Sequence, residues 1–332
     1  MTNKELTQHY STWGDKLLQH CHELHLLQDR KILRPITVQL APTEACDSNC
    51  PFCSVGNRPT GRIPFNDIAF GLAAFKGLWA KSVEITGGGN PLLYRDGDKT
   101  INDVVLEARK HELKVGIITN SENPSRWLSD PVRQSIEWIR VSLAKLDEGK
   151  NAGDFNFIGV EQRLGLSYIF HKQSRPDILQ EIKKLLELWP GVKFVRLAPD
   201  CTTDDALTIE QRLGDEVRAI DPDGKCFIKD IGDNYHPYLH GCWVGGIRPY
   251  WTSTGIYICT SHVLKTRKYE PEWRLCENVN DIDSTWVNMH HRMMRGDNPY
   301  PIDISKCWHC YYYNNNALLH KIVTPVPDKD FA

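Results

Sequence analysis

Cys46, Cys50 and Cys53 stand close together in the stretch TEACDSNCPFCSVG, with the spacing C-x3-C-x2-C. Thiolates at this density bind metal. A structural zinc site is closed by four ligands, often as two C-x2-C pairs, and here one ligand is missing. A [4Fe–4S] cluster is commonly held by four thiolates, one on each iron. Held by three, it keeps one iron open, and an open metal position is a place for chemistry, as it is in catalytic zinc sites. A zinc site completed by a distant ligand is the other reading of the same residues.

A second set of thiols lies near the C-terminus. Cys242 and Cys259 bracket the hairpin-like segment GCWVGGIRPYWTSTGIYICTSH, and Cys307 and Cys310 form a C-x2-C pair in SKCWHC. Four thiolates from a hairpin and a C-x2-C turn suit a fully ligated tetrahedral site. Zinc and [4Fe–4S] both accept it. His309, between two of these cysteines, reads as a neighbour of the site rather than a ligand.

The elements that must position these residues follow from pattern. Residues 1–34 read as one or two amphipathic helices ending near Pro35. Strand-like and helix-like segments then alternate. The strands are ITVQLAP, SVEITGG, LKVGIITN, IEWIRVSLA, LGLSYIF and KFVRLAP. Between them lie helical stretches, among them 66–81, with Asn66 as its expected N-cap, and RPDILQEIKKLLELWPG, with Pro176 at its start. This order argues for an α/β parallel sheet with crossover helices, open or curled into a partial barrel. The first three cysteines fall just after the first strand, and ligands in such folds gather at the carboxyl ends of strands. Past Pro199 the alternation stops, and the segment reads as a loop-rich appendage.

Composition bounds the function. The chain has 332 residues, 41% of them apolar, and a net charge of −2. That charge gives no general attraction to nucleic acid. No apolar run is long enough for a transmembrane helix, and the polar N-terminus is unlike a secretory signal. Eleven cysteines, an odd number in a chain without a signal, point to a reducing cytoplasm and metal ligation rather than a disulfide scaffold.

The C-x3-C-x2-C motif, with Phe52 before its last cysteine, resembles the signature of the radical S-adenosylmethionine enzymes. In that family the open iron binds S-adenosylmethionine, and reduction yields a 5′-deoxyadenosyl radical that takes a hydrogen atom from substrate. The resemblance extends along residues 36–199. Gly88 and Gly89 match the family's Gly-Gly-Glu segment, with Asn90 in place of the Glu. Asn120 ends the third strand, and Ser142 lies on the fourth. Leu197 lies on the sixth, where a backbone strip meets adenine. The resemblance implies a partial (β/α)6 barrel over residues 36–200, after an N-terminal helical extension, residues 1–35.

Residues 240–312 resemble the twitch domain, a shortened SPASM domain that holds one auxiliary [4Fe–4S] cluster, and the resemblance implies such a domain over residues 201–332. The implied ligands are Cys242, Cys259, Cys307 and Cys310. Their spacing is similar to that of the 2-deoxy-scyllo-inosamine dehydrogenases. The implied cofactors are S-adenosylmethionine and two [4Fe–4S] clusters, with a flavodoxin or ferredoxin-type electron donor. The expected reaction is oxidation of a small polar molecule, such as an alcohol to a ketone, with the auxiliary cluster accepting an electron. Peptide maturation or epimerisation, nucleoside or sugar-nucleotide modification, and a non-catalytic zinc-binding module are the alternatives. An added peptide-recognition domain would need more than the 35 residues that precede the core.

Catalytic candidates follow from the same resemblance. Arg196 could clamp a substrate carboxylate or phosphate, or serve a structural ion pair. His262 could act as a base, or lie on the surface. Cys201, Cys226 and Cys276 read as small buried residues, or as hydrogen donors to a substrate radical.

Overall fold

The computed structural model describes residues 3–11, 14–203, 216–217, 219–221, 223–229, 242–263, 266–300, 302–303 and 312–324. Its centre is a ten-stranded sheet. In chain order the strands are β1 (Thr37–Leu40), β2 (Ser82–Ile85), β3 (Lys114–Thr119), β4 (Trp138–Ser142), β5 (Leu164–Phe170), β6 (Phe194–Pro199), β7 (Cys226–Ile228), β8 (Tyr250–Thr252), β9 (Gly255–Tyr257) and β10 (Arg274–Cys276). Across the sheet they run β10-β9-β8-β1-β2-β3-β4-β5-β6-β7. Neighbours from β8 through β1 to β7 are parallel, and β8, β9 and β10 are joined antiparallel. All six expected strands are present. The α/β class with a mostly parallel sheet is therefore observed.

The strands show why the sheet has a chemical interior. Val38, Val83, Val115, Ile139, Leu166 and Leu197 are wholly or almost wholly buried. They join one core with Leu72 and Phe75 of α3 (Phe65–Gly77), Val104 and Val105 of α4 (Ile101–Lys110) and Ile182 and Leu185 of α5 (Ile178–Leu188). Successive strand residues point to opposite faces. The alternate row is Gln39, Glu84, Arg140, Ser142, Ser167 and Arg196. Apolar residues under the helices and polar residues opposite them give the sheet a polar inner side.

Local sequence fixes some helix ends. Thr100 caps α4 in a capping box with Asp103: the Thr100 amide donates to Asp103 Oδ2 at 2.9 Å. The expected cap Asn66 lies inside α3 instead. That helix starts at Phe65, whose amide donates to Asp96 Oδ2 at 2.8 Å. Asp96 comes from a two-residue-arm hairpin and is held by Arg62 at 2.9 Å. A carboxylate 31 positions away in the chain does the capping, which no local pattern announces.

Where the sequence predicts one or two N-terminal helices, α1 (Asn3–Tyr10) and α2 (Cys21–Arg30) are present. Tyr10 stacks on Phe194 of β6 at 4.3 Å between ring centroids. After Pro199 the chain adds strands to both edges of the sheet, β7 beside β6 and β8 beside β1. Each of β7 to β10 is three residues long, too short to show a period, so the sequence reads this region as loops. The hairpin there is present: Thr252 faces Gly255 across the Ser253–Thr254 turn. Among the described residues, no helix is long and apolar enough to cross a membrane.

Candidate functional site

The loop carrying Cys46, Cys50 and Cys53 leaves the carboxyl end of β1 and closes over a cavity of about 280 Å³. All three cysteines line it, with Phe52, Gly88, Gly89, Asn120, Ser142, Arg196 and Cys201. These residues come from the carboxyl ends of separate strands, where parallel α/β folds place ligands. A larger cavity of about 600 Å³ lies among the amino ends of the strands, beside Lys114, Trp138 and Phe194. No cysteine lines it, so the smaller cavity is the candidate active site.

Backbone pairing fixes the cysteine loop to the glycine run after β2. The Gly89 amide donates to Thr43 O at 2.9 Å, and the Asn90 amide to Ala45 O at 2.8 Å. Gly88 has φ +67° and donates its amide to the Tyr250 hydroxyl at 3.1 Å. The approach leaves no room for side chains: a Cβ on Gly89 would stand 1.9 Å from Ala45 O. Gly89→Ala must therefore push the cysteine loop away from β2. We expect a loss near the top of the roughly 1–3 kcal/mol range typical of overpacking, read as a lower denaturation midpoint. An unchanged midpoint would show that the contact is soft.

Side chains brace the loop from further off. Asn120 Nδ2 donates to Ser48 Oγ at 2.7 Å and to Asp47 Oδ1 at 3.2 Å, and lies 3.9 Å from Cys46 Sγ. Lys145 pairs with Asp47 at 2.9 Å. Burial alone would raise the Asp47 carboxyl, but hydrogen bonds from Lys145 and Asn90 hold it below its ordinary range. Arg58 donates to Glu44 O at 3.0 Å and reaches Cys53 Sγ at 3.6 Å. Arg267 donates to Cys53 O at 2.9 Å, which ties the C-terminal region to this loop. The Phe52 ring packs on His171 at 4.9 Å, and His171 is bonded to Asp147 at 3.1 Å.

The three thiols are half-buried, and holding them together as thiolates takes a cation. Burial pushes the Cys46 thiol up, and burial with neighbouring Cys53 pushes Cys50 up to about 12. Three thiolates crowded here repel one another unless a cation draws off their protons. Arg58 and Asn120 stand beside the sulfur atoms and favour their charged form. Among the described residues, no three His, Cys, Asp or Glu side chains converge on one point as a single metal ion requires. Thiolates on a cluster attach to different irons, so a cluster does not ask for that convergence. The donor set and its surroundings fit an iron–sulfur cluster with three protein ligands.

The remaining site candidates are placed as follows. Arg196 and Cys201 line the cavity, and Cys226 and Cys276 do not. The Cys226 amide is bonded to the Asp221 carboxylate. Cys276 is buried on β10, its thiol pushed up to about 11 by burial. Asn90 stands behind the cavity wall, its amide oxygen accepting from Thr119 Oγ1 at 2.7 Å and its nitrogen donating to Asp47 at 3.2 Å. The Leu197 side chain is buried away from the cavity in the core. His262 is buried rather than on the surface. It stacks on Tyr257 at 4.8 Å and bonds the Cys259 carbonyl, and burial lowers its pKa to about 4. At neutral pH that ring is uncharged.

Of the second set, burial pushes the Cys242 thiol up, and Cys242 stands close enough to Cys259 to raise that thiol further. For Cys259 too burial comes first, and its thiol is pushed up to about 12. Cys307 and Cys310 lie outside the described residues, as does His309. Three features had no signal in the sequence. The Asp47–Lys145 brace joins residues 98 positions apart. A buried network links Glu44, Tyr269 and Tyr250 at 3.1 and 3.2 Å. Lys229 also lines the cavity.

No family model matches the chain, and no curated protein matches it. Solved structures do. The chain is similar to Streptococcus suis SuiB bound to precursor peptide SuiA, with a TM-score of 0.54 and 16% identity, over 84% of this chain and 72% of that one. SuiB bound to S-adenosylmethionine gives 0.50 and 18%, over 74% of this chain and 65% of that one. Native anSMEcpe with bound AdoMet and Cp18Cys peptide gives 0.50 and 12%, over 85% and 88%. These neighbours are radical S-adenosylmethionine enzymes, and the likeness shows that this chain has their fold.

Proposed function

We propose that this chain is a radical S-adenosylmethionine enzyme with two [4Fe–4S] clusters. The observation that carries the reading is the cysteine loop pinned to the Gly88–Gly89 turn over one cavity at the carboxyl ends of the strands. Cys46, Cys50 and Cys53 hold the first cluster. When bound, that cluster supplies the electron that cleaves S-adenosylmethionine and so makes hydrogen abstraction available. Strands β1 to β6 form the (β/α)6 partial barrel over residues 36–200, behind the extension at 1–35. Gly88 and Gly89 keep the wall thin, so that backbone groups reach the ligand. Asn120 and Ser142 offer hydrogen bonds from the next strands, and Leu197 offers its backbone. Phe52 shields the cysteines from solvent. Asn90 acts at one remove, by fixing Asp47 and Thr119.

Residues 201–332 hold the auxiliary cluster through Cys242, Cys259, Cys307 and Cys310. The proposed reaction is oxidation of a small polar molecule in the cytoplasm, with the auxiliary cluster taking an electron from the substrate radical and a flavodoxin or ferredoxin reducing the first cluster. Cys201 is the cavity-lining candidate for hydrogen donation if the reaction is redox-neutral. A second reading is a peptide substrate. The structures of SuiB and anSMEcpe were solved with peptides, and that observation favours it.

Metal analysis tests the assignment. Anaerobic reconstitution is expected to give about eight irons per chain, and replacement of Cys46, Cys50 and Cys53 by Ala about four. Zinc in place of iron, or iron near eight in the triple variant, overturns it.

A further inference from the structure

The inner side of the sheet carries a column of cations. Arg140 lies on β4, Arg196 on β6, Arg248 just before β8 and Lys229 just after β7. Glu84 is paired with Arg248 at 2.9 Å, at the β8 side of the column. The upper members reach the candidate active site: Arg196 and Lys229 both line its cavity. Strand register sets their common face. Ser142, Ser167 and Arg196 form one row across β4, β5 and β6, and Phe227 of β7 continues it. The Lys229 amide donates to Leu197 O at 2.7 Å. Two residues beyond Phe227, its side chain returns to the face of Arg196.

Burial, and then the charge of Arg196, lowers the Lys229 pKa to about 7. An anion beside two cations of one low-dielectric wall is attracted by both. A guanidinium grips two oxygens of a carboxylate or phosphate at once, and an ammonium adds a point charge. The pair borders the residues assigned to S-adenosylmethionine: Leu197 follows Arg196 in β6, and its carbonyl accepts from the Lys229 amide at 2.7 Å.

We propose that Arg196 and Lys229 form an anion subsite that holds a carboxylate or phosphate group of the substrate. The proposal rests on the reading of this cavity as the reaction site. Arg196, Asp200 and Cys201 share the cavity wall with Lys229, and the charges of Arg140 and Arg248 also act on it. Among these charges a bound anion holds the lysine in its protonated form.

The test is titration of the reconstituted full chain with inorganic sulfate, whose charge is constant across the pH range used, and in parallel with acetate. Saturable binding of at least one is expected, and the stronger of the two identifies the group as phosphate-like or carboxylate. Lys229→Gln and Arg196→Gln should each weaken it at least tenfold, and Arg196→Lys should retain most of it. Binding to wild type should weaken about tenfold from pH 6 to pH 8, as a lysine of pKa near 7 loses its proton, and Lys229→Gln should abolish that dependence. If Arg196→Gln does not fold, Lys229→Gln carries the test. Binding of neither anion, or equal binding by Lys229→Gln, overturns the proposal. So does a loss of S-adenosylmethionine affinity that matches the loss of sulfate affinity, because the pair would then serve that ligand's own carboxylate. Failure of the wild type to bind S-adenosylmethionine sinks the underlying reading, and the anion titrations still decide the subsite.

Discussion

Cys50→Ala is expected to abolish the formation of 5′-deoxyadenosine from S-adenosylmethionine by the anaerobically reduced protein. Cys50 is the middle ligand of the proposed first cluster. It lies at the cavity, and burial with neighbouring Cys53 pushes its thiol up to about 12. With only two thiolates left, the cluster has no firm seat. The fall should exceed the 10–100-fold that losing a supporting outer partner of a metal site costs. Lys145→Ala, which removes the brace on Asp47, supplies that milder comparison. Chromatography of the reaction mixture, with iron content measured on the same samples, reads both effects. A Cys50→Ala protein that makes 5′-deoxyadenosine at the wild-type rate would place the active site elsewhere.

Glu84→Ala is expected to be the most destabilising single change on the inner face of the sheet. Glu84 is buried, pairs with Arg248 at 2.9 Å and accepts from Gln39 Nε2 at 2.8 Å. Without it Arg248 loses the carboxylate it pairs with, and Arg140 loses the favourable charge of Glu84. Removing one partner of a buried pair costs about 3–5 kcal/mol. Burial by itself would raise the Glu84 carboxyl, but Arg248 and then Arg140 outweigh it and hold it below its ordinary range. A depressed carboxylate stabilises the fold above its unfolded pKa of about 4.3, and that contribution is lost as pH falls through the lower folded value. The gap between wild type and variant should therefore be widest above about pH 5 and should narrow in acid. Chemical denaturation across that range measures it. A gap that stays constant to low pH would show that packing, not charge, is what Glu84 supplies. Glu84→Gln, which keeps the shape and some of the hydrogen bonding, should fall between the two.

Two kinds of information met in this fold. Strands β1 to β6 were legible along the chain, because their apolar rows are long enough to show a period and turn residues or capped helices separate them. So was the grouping of thiols within one loop, since C-x3-C-x2-C is a local spacing. The placement of that loop after the first strand followed from the same pattern. Tertiary structure decided the rest, because the remaining relations join residues far apart in the chain. Asp96, not Asn66, caps α3, since a carboxylate from a distant hairpin reaches the Phe65 amide. Gly89 is confined by the approach of Ala45, a contact between two loops. His262 is neutral and buried because the β8–β9 hairpin and its own 3-10 turn enclose it. Of the four cysteines outside the two proposed ligand sets, Cys21, Cys201, Cys226 and Cys276, only Cys201 meets the cavity. The strand direction carries it there, while Cys226 and Cys276 sit on strands whose geometry keeps them from it. The pairing of Arg196 with Lys229 depends on the register between β6 and β7, which brings two cations from separate segments to one face. Local spacing is written along the chain, but a shared face exists only once the sheet has formed.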